Sequence, residues 1–139
     1  MNNDGDIQYA DRIIEEVDWS ELDIVAGVNA LCRKAAEVSE SKGFTAVSLP
    51  EAIALMHSEL SEALEESRSG RLFDEVYYDG YTLESPGVQK KPEGIPIELA
   101  DCVIRIADFC GKNRINLGEA IVEKLAYNKT RPFKHGKQY

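Results

Sequence analysis

The sequence predicts an all-α protein with an antiparallel four-helix bundle-like core that is completed by dimerisation. Apolar residues recur at three- and four-residue steps in successive stretches, and helix-capping and helix-stop residues bracket those stretches. The helix lengths suit an antiparallel arrangement. One of the helices is apolar on two or more sides, which asks for more cover than four short helices provide.

At 139 residues, 43% of them hydrophobic, the chain can bury a core as one domain. Residues 1–20 read as an N-terminal arm and 21–139 as the folded domain. The first helix is expected from about Glu21 to Ser41, with Ser20 as N-cap and Gly43 just past its end. Its buried face would carry Val25, Val28, Cys32, Ala35 and Ala36, with Asn29 as a polar intruder. A second helix starts near Ser48, where Pro50 suits a first turn, and ends by Gly70. Its apolar stripe reads as Met56, Leu60, Ala63 and Leu64, flanked by Glu59, Glu62 and Glu66 within about 60° of one another.

Residues 70–95 form a long connection rich in turn residues, with Tyr77, Tyr78 and Tyr81, and a short hairpin or a partial helix near Leu72 to Val76. The third helix runs from Ile95-Pro96 to Cys110, with Gly111 as its stop. Glu98, Asp101, Arg105 and Asp108 share one narrow arc of it, and almost every other position is apolar. Such a helix belongs at the centre, with its polar strip facing something that attracts negative charge. The fourth helix is capped by Asn116, with Glu119 at capping-box spacing, and extends to about Asn128.

Function is bounded first by charge. With 25 acidic against 16 basic residues and a formal net charge of −9, duplex nucleic acid is excluded as a partner, whereas a small anion can be met locally by a metal ion and a few cations. No stretch approaches the roughly 20 apolar residues that cross a bilayer, and the N-terminus is acidic and polar, so no membrane partner and a cytoplasmic location are expected. Cys32, Cys102 and Cys110 sit in apolar helical patterns without C-x-x-C spacing, as small hydrophobes.

Carboxylates at i and i+3 on a helix present oxygens to one point, and a helix with Glu59 and Glu62 packed on one with Glu98 and Asp101 would gather four of them. A lone Glu pair is common on solvated faces, but Glu98 and Asp101 interrupt an otherwise apolar helix. Their convergence makes sense around a divalent cation, and all-oxygen ligation suits Mg²⁺ with Mn²⁺ as substitute. Glu66 and Asp108 extend the two acidic faces, either as outer ligands or, the preferred reading, as partners that hold Arg105 in a salt-bridge network. On the fourth helix Lys124 and Asn128 project from an apolar arc, as a snorkelling lysine or as phosphate contacts beside the metal, and Arg131 could complete an anion clamp.

Three segments in this order, His57-Ser-Glu-Leu-Ser-Glu-Ala-Leu64, Lys91-Pro-Glu-Gly-Ile-Pro-Ile-Glu-Leu-Ala-Asp101 and Glu123-Lys-Leu-Ala-Tyr-Asn-Lys-Thr-Arg-Pro132, resemble the MazG-like all-α nucleoside triphosphate pyrophosphohydrolases. That family is similar in its metal-binding core to the dimeric dUTPases and dCTPases, and the resemblance spans about Leu22 to Gly136. It implies hydrolysis of (deoxy)nucleoside triphosphates between the α and β phosphates, to monophosphate and pyrophosphate. It implies Glu59, Glu62, Glu98 and Asp101 as Mg²⁺ ligands, Lys124 and Asn128 on the triphosphate, and a homodimer or dimer of dimers. Within this reading Glu59 or Glu62 is the preferred proton acceptor, Lys124 stabilises charge in the transition state, and Asn29, with Trp19 and one or more of Tyr77, Tyr78 and Tyr81, is expected at the base end of the pocket. The competing readings are a non-catalytic Mg²⁺-nucleotide-binding module, a structural or partner-binding helical protein, and a di-iron bundle. The last would need E-x-x-H elements, and the only histidines are His57 and His135.

Overall fold

The computed structural model describes residues 20–79 and 90–133. Along the chain these form α1 (Glu21–Ser41), α2 (Leu49–Arg68), β1 (Tyr77–Asp79), β2 (Lys91–Glu93), α3 (Ile95–Lys112) and α4 (Leu117–Thr130). The protein is all-α, its helices packing in pairs as in a bundle, with one small ribbon of two three-residue strands. No helix among the described residues is long and apolar enough to cross a membrane.

The helix starts follow local chemistry. The Ser20 hydroxyl accepts from the Asp23 N–H at 3.2 Å while the Asp23 carboxylate accepts from the Ser20 N–H at 3.1 Å, a reciprocal capping box. Asn116 accepts from the Glu119 N–H at 3.2 Å, and Ser48 accepts from the Glu51 N–H at 3.4 Å.

Three helices end in the same motif, with a left-handed residue and two reversed hydrogen bonds. After α1 that residue is Gly43 (φ 86°), and Phe44 N–H reaches the Ser39 carbonyl at 3.2 Å. After α2 it is Gly70 (φ 84°), and Arg71 N–H reaches Glu66 at 3.2 Å. The third departs from the sequence reading. Gly111 does not stop α3, which continues to Lys112; the left-handed residue is Arg114 (φ 56°), with Ile115 N–H bonded to the Cys110 carbonyl at 2.9 Å. Gly111 is needed for another reason, since a Cβ there would collide with the Cys32 carbonyl oxygen of α1.

The described chain divides into two compact units. One comprises α1, α4, the first residues of α2 and the second half of α3. Its core is Cys32, Ala35, Ala107 and Cys110, with Val28, Ile106 and Leu117 packed around them. These small side chains let backbones approach closely, and a Cβ on Gly118 would lie 2.6 Å from the Val25 carbonyl oxygen. All three cysteines are free and buried, and burial pushes the Cys32 and Cys110 thiols up. Lys112 is buried along its stem and donates to Ser39 Oγ at 2.7 Å and Asp108 Oδ2 at 2.9 Å.

The other unit comprises the rest of α2, the ribbon and the first half of α3. Of the two forms expected for the connection, the hairpin is the one formed, and residues 72–76 are not helical. Its strands are antiparallel, with Tyr77 opposite Glu93 and Asp79 opposite Lys91. Tyr77 fastens it to α2 by donating to Glu66 Oε1 at 3.0 Å, beneath an Arg71 guanidinium 3.9 Å from its ring. Gly94 (φ 116°) turns the chain into α3 so close to the Glu75 carbonyl that no Cβ would fit.

One expectation about buried faces is corrected. Leu60 and Leu64 are 47% and 57% exposed; the buried line on α2 is Ala52, Met56, Glu59 and Ala63, about 70° round the helix from Leu60. As its apolar pattern anticipates, α3 is not covered all round: Leu99, Val103 and Ile104 stay 45–50% exposed while Ile95, Glu98, Cys102, Ala107 and Cys110 are buried.

Candidate metal centre

Glu59 stands where the Met56 to Ala63 stripe of α2 calls for an apolar side chain, and it is only 5% exposed. Glu62, less than a turn further on, is at the exposed edge of the same helix. Glu98 enters from the first turn of α3 and is 3% exposed. Each of these three glutamates offers a carboxylate oxygen within 4.8 Å of the others.

That placement is costly for the charged forms. Glu98 is pushed up to about 7, first by burial, then by the Glu62 charge, by a hydrogen bond with Glu93, and by the charges of Glu93 and Asp101. Glu98 is therefore divided between its protonated and ionised forms at neutral pH. A divalent cation would remove the conflict: the donors are all carboxylate oxygens, the set hard cations prefer, and two of the three are withdrawn from water. The cluster is thus positioned to coordinate a divalent metal ion.

Asp101 lies near enough to bear on Glu98 and is half-buried, but the trio within 4.8 Å is Glu59, Glu62 and Glu98. The residue that sequence reasoning missed is Glu93. It lies in the second quoted segment, on the ribbon, where no helical period reveals its direction; the Gly94 turn brings it back over the start of α3. Lys91, two residues earlier on the same strand, pairs with Glu93 at 2.7 Å. Its ammonium is held in the charged form first by that hydrogen bond, then by the charges of Glu93, Glu98 and Glu62.

Lys124, Asn128 and Arg131 are exposed on the last turns of α4 and just beyond, the Lys124 ammonium 4.8 Å from the centre of the Tyr127 ring. Asn29 works at the other end of α4. Its amide donates to Asn116 Oδ1 at 2.7 Å and its carbonyl accepts from the Gly118 N–H at 3.1 Å, about 15 Å along the helix from Asn128. Glu66 pairs with Tyr77 and Arg71, and Asp108 with Lys112. Tyr78 is exposed; Trp19, Tyr81 and His135 lie outside the described residues.

Comparison with protein-family models, with curated proteins and with solved structures returns no match, so the family resemblance is carried by the three sequence segments alone.

Proposed function

We propose that the protein is a Mg²⁺-dependent nucleoside triphosphate pyrophosphohydrolase, cleaving (deoxy)nucleoside triphosphates between the α and β phosphates. The observation that carries this reading is the convergence of Glu59, Glu62 and Glu98 on one point, two of them buried. Those three with Asp101 would hold the cation, which would supply positive charge against the phosphates and acidify a bound water. Water adds to the α-phosphorus, the bond from that phosphorus to the bridging oxygen breaks, and pyrophosphate leaves. Glu62 takes the proton of the water, because it is the exposed member of the trio and can be reached from solvent. On the resemblance, Lys124 and Asn128 contact the triphosphate, with Arg131 completing the anion clamp; the Asn29 amide, bonded to Asn116 and Gly118, is given no part in binding.

A homodimer or a dimer of dimers accompanies this proposal. Leu60, Leu64, Leu99 and Val103 are large apolar side chains left about half exposed on the helices that carry the glutamates, and a second copy would cover them. A monomer mass by light scattering at micromolar concentration would contradict it.

Separation of reaction products by ion-exchange chromatography, over a panel of bases and sugars with Mg²⁺, tests the chemistry. Monophosphate and pyrophosphate in equal amounts are expected. Diphosphate with orthophosphate would place the cut at the wrong bond. Nucleotide bound but unchanged would favour the non-catalytic module.

A further inference from the structure

A triphosphate carries several negative charges, and it must approach a site that already holds Glu59, Glu62, Glu98, Asp101 and Glu93. One divalent ion offsets at most two negative charges among those five carboxyl groups, so further positive charge from the protein would help the polyphosphate in. In the unit that contains the cluster, Arg68 is engaged with Glu65, and Arg71 with Glu75, Glu66 and the Tyr77 ring. Lys91 is placed differently. Alternation along β2 puts it on the same face of the ribbon as Glu93, and the two side chains meet at 2.7 Å. Glu93 is in turn hydrogen-bonded to Glu98, so the ammonium stands at the rim of the carboxylates and feels both Glu98 and Glu62.

The ribbon that carries it is fastened at two points, by Tyr77 to Glu66 of α2 and by the Gly94 turn against Glu75. The Lys91 side chain is nonetheless 66% exposed while Glu93 is 16% exposed, so the amine is open to an incoming ligand and its partner is not. An ion pair exposed on the lysine side is weak, and an ammonium can leave it for a polyphosphate at little cost.

We propose that Lys91 is a polyphosphate-binding residue of this site: Glu93 holds its ammonium at the rim of the glutamate cluster, and it turns to the β and γ phosphates when the metal-bound substrate enters. The proposal rests on the nucleotide reading above for its substrate and assigns the ribbon, not only the helices, to the site.

The test uses the full chain with inorganic tripolyphosphate, which has no base, and Mg²⁺, followed by calorimetry for wild type, Lys91→Gln and Lys91→Arg. Loss of one charge-assisted contact should weaken tripolyphosphate binding about ten- to hundredfold in K91Q, with K91R largely restoring it. Affinity for Mg²⁺ alone should be unchanged or tighter in K91Q, because the variant loses a cation that competes for the same carboxylates. Equal tripolyphosphate affinity in wild type and K91Q would overturn the proposal, as would weaker Mg²⁺ binding that accounts for the whole loss. Pyrophosphate release with an unchanged KM in K91Q would sink the Lys91 role and leave the enzyme reading standing. Lys91-dependent tripolyphosphate binding without any pyrophosphate release from nucleotides would do the reverse.

Discussion

Replacing Glu98 by glutamine keeps the size of the side chain and its capacity to hydrogen-bond Glu93, and removes only the ability to ionise. In the folded protein Glu98 titrates at about 7 against an ordinary 4.5, so folding favours its protonated form. For a carboxyl raised in this way, the contribution to stability is complete below the unfolded value and is lost as pH rises through the folded one. Over the interval from 4.5 to about 7 the loss amounts to about 3 kcal/mol. Metal-free E98Q escapes it. The variant should match wild type near pH 4.5 and exceed it by up to about 3 kcal/mol near pH 8.5, on the order of 10 °C in Tm for a chain of this length. Thermal melts by circular dichroism in EDTA at the two pH values measure the difference. Mg²⁺ added at the higher pH should then raise the wild-type Tm much more than that of E98Q, because it stabilises the fold only through its affinity for the site. Parallel pH dependence of the two proteins in EDTA would refute the reasoning, since Glu98 would then carry no burden of buried charge.

Asp101→Asn should shrink the Mg²⁺-induced Tm shift and reduce pyrophosphate release by orders of magnitude; equal shifts with turnover retained would remove Asp101 from the site. Gly111→Ala forces a Cβ onto the Cys32 carbonyl and should lower stability by about 1–3 kcal/mol in a urea titration; an unchanged midpoint would contradict that close approach. Asn29→Ala strips the start of α4 of the acceptor for Gly118 N–H and the donor to Asn116, and should cost about 1–2 kcal/mol by the same titration. Altered substrate ranking at unchanged stability would instead place Asn29 on the base.

Most of the helical order was legible in the sequence because its signals are local. Ser20, Gly43, Gly70 and Asn116 mark boundaries through their own backbone and side-chain chemistry, and the structure uses each of them as read. Gly111 was misread because a glycine that ends a helix and one that lets two helices touch look alike along the chain; only the position of Cys32 separates them. Leu60 and Leu64 were misassigned for a related reason. Periodicity shows that α2 has apolar residues on neighbouring faces, and the structure shows that the face buried within the chain includes a glutamate. Glu98 was found because it interrupts an otherwise apolar helix, and Glu59 and Glu62 because that second acidic face gives their i, i+3 pair something to converge with; alone, such a pair is common on solvated faces. Glu93 and Lys91 were not, since their place at the cluster depends on a ribbon whose strands are 11 residues apart between Asp79 and Lys91, joined by tertiary pairing that no period records.

A divalent cation held by Glu59, Glu62 and Glu98 is the centre of the proposed chemistry, and electron paramagnetic resonance of Mn²⁺ titrated into the full chain near pH 8.5 detects such binding without relying on turnover. Wild type should take up Mn²⁺ saturably, with Mg²⁺ competing for the same site, and Glu59→Gln should abolish that uptake while keeping the helical circular-dichroism spectrum. Saturable binding of equal strength in wild type and E59Q, or none in wild type, would contradict it.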